Sequence, residues 1–326
     1  MSMKTKFLYV LVSNLADYYS EQCYLSICSL KLKNPNAFIS LLVDEQTALY
    51  LEQHFIILIQ SVNEYKVVAL DHHLSNKEKS RVLKSSMRQQ INGDFLFIDC
   101  DTVICDDLSE IEQIEGDIAC VLDSHILVSD HWAKDWMKKN NKKCGFIESI
   151  TKEKHFNSGV IYCKDTSHTR VFFEDWSRLM KQSIASEVYI DQPAFNHADT
   201  INGNLIKELH GKWNCQLVQG GVKYLAEAKI IHYFASQKKF RSPYLLADKN
   251  ILKDIRNKKG LSERCISLLN NPKNVIDEKT RLLSPDVPTE LFFQHPFFEL
   301  VYIYNNHKLI YQLIRIVCFL LGKLHK

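Results

Sequence analysis

The chain has 326 residues, of which 46% are hydrophobic and 24% charged, with a formal net charge of +3. That length buries a large core, as one domain or one domain with a small appendage; the composition excludes a disordered chain, and so weak a positive balance gives no ground for a nucleic-acid partner. The ten cysteines are scattered, the nearest pairs being Cys23/Cys28 and Cys100/Cys105, without the spacing of a zinc knuckle, so a reduced, cytosolic chain with buried thiols is expected.

The opening "MSMKTKFLYVLVSNLADYY" has the lysines of a signal peptide, but its apolar run, Phe7 to Ser13, is short, ends in polar residues and lacks a clean small-residue cleavage pattern. It reads as the first buried strand. A helix follows over Tyr19 to Leu32, then a strand over Ala37 to Val43 ending at Asp44. Next come a helix over Glu45 to Gln53, a strand over Lys66 to Leu70 and a basic helix over Lys77 to Gln90. Further strands are predicted at Asp94 to Ile98 and Ile118 to Leu122. From Lys152 the pattern is mixed. "FNSGVIYCK" (Phe156 to Lys164) reads as a strand, and Thr169 to Gln182 as a helix with Phe172, Phe173, Trp176, Leu179 and Met180 on its packed face. Ile230 to Phe234 is a late strand, and Arg256 to Leu291 a polar linker with short helices. This alternation implies an α/β fold, a mostly parallel sheet covered on both faces, with active residues at the carboxyl ends of its strands. The first turn, "VSNLADYYSE", carries neither the glycine fingerprint of a dinucleotide fold nor a P-loop.

The stretch "FLFIDCDTVICDDL" (Phe95 to Leu108) ends an apolar strand in two aspartates, Asp99 and Asp101. At i and i+2 they share a direction where the chain stays extended, and two close carboxylates repel unless neutralised. A divalent cation is the simplest neutraliser, and oxygen ligands suit Mg2+ or Mn2+. The other reading is a solvated strand end.

The apolar run followed by D-x-D resembles the metal motif of GT-A glycosyltransferases. Its order with F-N-S-G (Phe156 to Gly159), D-Q (Asp191-Gln192) and I-H (Ile231-His232) is similar to glycosyltransferase family 8, over about residues 7 to 245. The resemblance implies a retaining enzyme with a GT-A catalytic domain over residues 1–250 and a helical extension over 251–326. It implies Mn2+ or Mg2+ on Asp99, Asp101 and His232, and a UDP-sugar donor. Donor contacts are implied for Ser13, Asn14, Asp17 and Tyr18; stacking of the Tyr18 ring on the base is physically reasonable, and an exposed helix cap is the other reading of this stretch. Lys84 and Arg88 would sit near the diphosphate or sugar, Asp123 near the donor sugar, and Lys238 or Lys239 on the diphosphate. Asn157, Asp191 and Gln192 would face the reacting centre. Asp191 reads equally as a helix N-cap, and Trp213 either lines the acceptor side or belongs to the core. Asp44 is a weaker candidate for the donor site, and Arg81 has no clear place.

The acceptor would be a glycan or a lipid-linked glycan. The last residues, "NNHKLIYQLIRIVCFLLGKLHK", are basic and apolar, and too interrupted for a spanning helix. Residues 307–326 therefore either lie on an anionic membrane surface, from the cytoplasmic side, or dock on the core or on a second copy of the chain. An inverting GT-A transferase of another family, a nucleotidyltransferase and a non-catalytic nucleotide- or sugar-binding protein are the rival functions.

Overall fold

The computed structural model describes residues 3–233, 249–273, 300, 303 and 307–324. The chain divides into two compact units, Met1–Val275 and Ile276–Lys326. In the first, the strands are β1 (Lys6–Leu11), β2 (Ile39–Asp44), β3 (Glu64–Val68), β4 (Phe95–Ile98), β5 (Thr102–Ile104), β6 (Ile118–Leu122), β7 (Phe156–Cys163), β8 (Ile206–Glu208), β9 (Cys215–Gln216) and β10 (Ile230–His232). The α-helices are α1 (Tyr19–Lys33), α2 (Glu45–His54), α3 (Ile56–Gln60), α4 (Asn76–Ser85), α5 (Met87–Gln90), α6 (Lys134–Cys144), α7 (Ser167–Ala185), α8 (Gln192–Ile201), α9 (Lys249–Lys258) and α10 (Glu263–Asn270). The described part of the second unit contains the helix Lys308–Leu324.

Local chemistry sets several of these boundaries. The Asp44 carboxylate closes β2 and caps α2 by accepting from the Thr47 amide, while its other oxygen lies 3.3 Å from buried Lys79. Asp44 is thus a fold residue and does not reach the cavities described below. Ser75 and Glu78 form a reciprocal capping box at the start of α4. The single basic helix expected over Lys77 to Gln90 is broken at Ser86, whose φ and ψ of −101° and 6° leave the helical region. α6 ends at Gly145 with φ +75°, the left-handed stop that glycine provides.

The main sheet has the order β3-β2-β1-β4-β7-β6-β8. It is mostly parallel, as the alternation predicts, but β7 runs antiparallel to both neighbours. That reversal is what builds the site. It carries the beginning of β7 to the ends of β4 and β6, so that the Asp99 amide donates to the Gly159 carbonyl (2.8 Å) and the Asp123 amide to that of His155 (2.8 Å). A smaller sheet, β5-β10-β9, begins immediately after the aspartate pair. Its register sets His232 opposite Thr102 and beside Gln216. Strands of two or three residues show no periodicity, and β5, β8 and β9 were not expected from the sequence.

The expected packed face of α7 is buried, and Phe173 and Trp176 join Phe95 and Phe195 through edge and tilted ring contacts. Arg88 belongs to this core and not to a donor site. Its guanidinium lies 4.6 Å over the Phe95 ring, donates to the carbonyls of Ile91 and Gly93 and sits 3.6 Å from Asp165. It shares no helix face with Lys84, because the break at Ser86 falls between them. Removing the cation leaves carbonyls and a carboxylate without their donors. Arg88→Met should therefore lower stability by about 2–4 kcal/mol in urea unfolding, while the KM for the donor stays at the wild-type value.

Candidate active site

Asp99, Asp101 and His232 each offer one ligand atom, and these atoms lie within 4.8 Å of one another. β4 brings the first aspartate and the following turn the second. The Cys100 thiol between them donates to the Val10 carbonyl (3.5 Å). His232 arrives on β10, with its Nε2 3.1 Å from Asp101 Oδ1. Burial together with the Asp101 charge raises the Asp99 pKa despite Lys84, while for Asp101 burial is offset by His232, a backbone hydrogen bond and Lys84 acting together, and its pKa is lowered. Asp101 in turn raises His232 against the effect of burial. Two oxygens and an imidazole nitrogen at this spacing suit a divalent cation of the Mn2+ or Mg2+ type.

A relay of amides fixes the imidazole. Asn157 Oδ1 accepts from the Gly159 backbone amide (2.9 Å) and from Asn214 Nδ2 (2.9 Å). Its Nδ2 donates to Asp123 Oδ1 (2.9 Å). A backbone N–H can only donate and a carboxylate can only accept, so both ends of Asn157 are assigned. Asn214 then turns its Oδ1 to His232 Nδ1 at 3.1 Å. Nδ1 therefore donates to Asn214, and Nε2 faces the carboxylates, where it would give up its proton to take a cation. Gly159 leaves room for the ring: a Cβ there would lie 2.3 Å from His232 Cε1.

Asp191 immediately precedes α8 but makes no cap bond. Its carboxylate accepts from Lys84 Nζ (2.9 Å) and Ser158 Oγ (2.8 Å) and lies 3.9 Å from Arg81 Nε. Burial alone would raise its pKa; the Arg81 and Lys84 charges hold it well below the usual carboxylate range. Lys84, itself buried, also reaches Asp99 at 3.0 Å. Asp123 Oδ1 accepts from Gln192 Nε2 (2.8 Å) and Oδ2 is 3.2 Å from His131 Nε2. Those bonds and that of Asn157 keep Asp123 lowered despite burial.

These side chains line one cavity of about 760 Å3, whose outer rim is Trp132, Asp135 and Trp136. A second cavity, of about 610 Å3, shares Arg81, Asp99 and Asp101 with it and extends along Val10–Val12, Asp17 and Tyr19. The sequence-predicted residues Asp99, Asp101, Asp123, Asn157, Asp191, Gln192, His232 and Lys84 are thus brought to one cavity. Asp17 lines the second; its carboxylate accepts from Ser13 Oγ (2.6 Å) and the Asn14 amide (3.2 Å), so Ser13 shapes the turn from below. Asn14 faces a separate shallow hollow beside Tyr50.

Tyr18 is not the cavity aromatic. Its ring lies 4.3 Å under the Arg256 guanidinium, and Tyr19 faces the second cavity instead. Adjacent helical residues point about 100° apart, and no sequence signal chose between them. Trp213 is buried beneath Lys229 and lines neither of the two cavities. Lys238 and Lys239 lie outside the described residues. Arg81, on the cavity face of α4, is the residue sequence reasoning left without a place; the three-residue offset from Lys84 on one helix was its signal.

Residues 93–242 match the family described as Glycosyl transferase family 8. They form a family 8 glycosyltransferase domain. No curated protein sequence matches this glycosyltransferase. Its fold is similar to that of the galactosyltransferase LgtC crystallised with donor and acceptor sugar analogs, at 12% identity over 85% of this chain and 99% of that one, with a TM-score of 0.50. An active-site mutant of LgtC gives 13% identity, the same coverage and a TM-score of 0.51. Mouse xyloside xylosyltransferase 1 is similar at 12% identity, covering 71% and 98%, with a TM-score of 0.46. The fold is GT-A.

In the glycosyltransferase, Gly159→Ala should leave the far-ultraviolet circular dichroism unchanged, since the intruding methyl meets a side chain rather than backbone. Mn2+ binding measured by calorimetry should weaken about 100-fold or more, in line with loss of a ligand and its support.

Proposed function

We propose that the enzyme moves a hexose from a UDP-sugar to a hydroxyl of a glycan or lipid-linked glycan, with a divalent cation and with retention of anomeric configuration. The observation that carries the reading is the meeting of two cavities at Asp99, Asp101 and Arg81. The cavity along β1 suits a nucleotide, and the one lined by Asp191 and Gln192 suits the transferred sugar and its acceptor.

A cation held by Asp99, Asp101 and His232 supplies charge neutralisation to the leaving diphosphate. Arg81 and Lys84 add fixed positive charge at the same place without reorganising. In the transfer, the bond between the anomeric carbon and the diphosphate oxygen breaks. A bond to the acceptor oxygen forms, and the acceptor proton goes to the departing diphosphate. The residues around the sugar support this route. Asp191 is too weak a base to take that proton, given its lowered pKa. Asp123 is likewise held low, by its bonds to His131 and Asn157 against the effect of burial, and His131 uses its second nitrogen to accept the Ala133 amide (3.0 Å). Gln192 spends its amide nitrogen on Asp123, leaving its carbonyl oxygen for the developing positive charge at the anomeric carbon. Asp135, exposed on the rim, is the remaining carboxylate of this cavity.

A donor screen with Mn2+ and NMR of the product's anomeric proton tests the reading. UDP-hexose turnover should be lost in Asp101→Ala and in chelator, while Asp135→Asn should keep it. Inverted product, or full activity in Asp101→Ala, defeats the proposal.

The same reading gives the C-terminal helix a role. Leu309, Leu313, Ile316, Val317 and Leu320 are exposed on Lys308–Leu324, which carries Lys308 and Arg315 and no acid. No helix among the described residues is long and apolar enough to cross a membrane. An amphipathic basic helix suits an anionic bilayer surface, the place of a lipid-linked acceptor. Deleting residues 307–326 should abolish co-sedimentation with vesicles containing phosphatidylglycerol; unchanged sedimentation would count against it.

A further inference from the structure

The rim of the first cavity is built unlike its inner wall. Trp132 is 74% exposed and Trp136 50% exposed, whereas Trp176 and Trp213 are buried. Trp is a largely buried residue type, so two open indoles within five residues at a cavity mouth need a reason. Neither is floppy in its setting. His131 is pinned to Asp123 and to the Ala133 amide, and Trp132 stacks on that imidazole at 5.6 Å and 28°. Trp136 stands in the first turn of α6, whose position is fixed by the burial of Met137, Asn141 and Cys144. A pyranose presents a C–H face that packs on such rings while its hydroxyls stay wet.

Beyond the indoles the same helix is basic. Lys138, Lys139 and Lys142 are exposed and form no ion pair among the described residues, and Lys143 pairs only at the surface with Glu187 (3.0 Å). Lys139 is one turn from both Asp135 and Trp136, so the positive charge begins where the aromatic platform ends. Helix propensity alone does not require lysine rather than a mixture of charges at these places.

We infer that Trp132, Trp136 and the lysines of α6 form the acceptor subsite, and that the acceptor is a sugar carrying an anionic group, phosphate or carboxylate. The inference rests on the glycosyltransferase reading of the cavity and names its acceptor class. The indoles seat the ring that offers its hydroxyl to the anomeric carbon, and the lysines hold the acidic substituent.

Calorimetry on the full chain tests it, with UDP and Mn2+ saturating so that the donor site is filled. Glucose 6-phosphate, glucuronate and methyl glucoside are the probes. At least one of the two anionic sugars should bind about tenfold more tightly than the neutral glucoside, an advantage that shrinks with added salt; which one identifies the group. Lys138→Gln/Lys139→Gln/Lys142→Gln should remove that advantage, and Trp132→Ala/Trp136→Ala should weaken all three probes. Equal affinities, an advantage untouched by the lysine variant, binding untouched by the tryptophan variant, no binding of either anionic sugar, or inorganic phosphate binding as tightly as glucose 6-phosphate would each overturn it. A UDP–Mn2+ titration of the same preparations separates the failures. Loss there defeats the donor reading, whereas intact UDP–Mn2+ binding without the sugar preference defeats the subsite alone.

Discussion

Burying negative charge is the constraint around which this site is arranged. Asp99, Asp101, Asp123 and Asp191 converge on one cavity, and taking a carboxylate out of water costs several kcal/mol unless charges or donors replace the hydration. Lys84 is the central offset. Its ammonium bridges Asp99 and Asp191 at 3.0 and 2.9 Å from a nearly fully buried position, over the Phe97 ring at 4.9 Å. A lysine so placed has one low-energy position, because both carboxylates and the aromatic face constrain it. Asp123 is satisfied differently, by neutral amides and an imidazole. The two solutions divide the cavity lining into a charged part, where Lys84 bridges Asp99 and Asp191, and a dipolar part around Asp123.

Much of this was legible in the sequence because strand ends announce themselves. Four apolar residues before Asp99, and five before Asp123, end in a charge that a strand interior would not hold. Asn157 and Gly159 open a strand with polar and small residues that packing does not demand. What could not be read was pairing between distant segments. The antiparallel run of β7 and the three-stranded sheet that carries His232 are set by long-range register, and β5 and β9 have too few residues to show a period. Arg88 was misread for the opposite reason. The sequence reads as one basic helix that would carry it beside Lys84, but the break at Ser86 turns it into the core, where Phe95 and two carbonyls hold it. Tyr18 and Tyr19 are indistinguishable in sequence, and an arginine well over 200 positions away, Arg256, decides which ring is covered.

The inner wall and the rim follow different design logic. Inside, each functional side chain has its rotamer fixed from two directions: Asn157 by a backbone amide and a carboxylate, His232 by Asn214 and the absent Cβ of Gly159, Asp191 by Lys84 and Ser158. Chemistry that depends on placing charge without reorganisation needs that rigidity. The rim is a loop and the first turns of α6, tied to the inner wall by the contact of His131 with Asp123 and seated by the buried side of α6. Residues there can change without disturbing the relay, because nothing in the hydrogen-bond chain from Asp123 to His232 passes through them. On the proposed reading, donor activation and acceptor choice would be carried by separable parts of one cavity. In a fold that hosts many sugar transfers, acceptor selectivity is then expected to reside in the segment from Trp132 to Lys142, and the capacity to break the donor bond in the strand ends that the sequence displays openly.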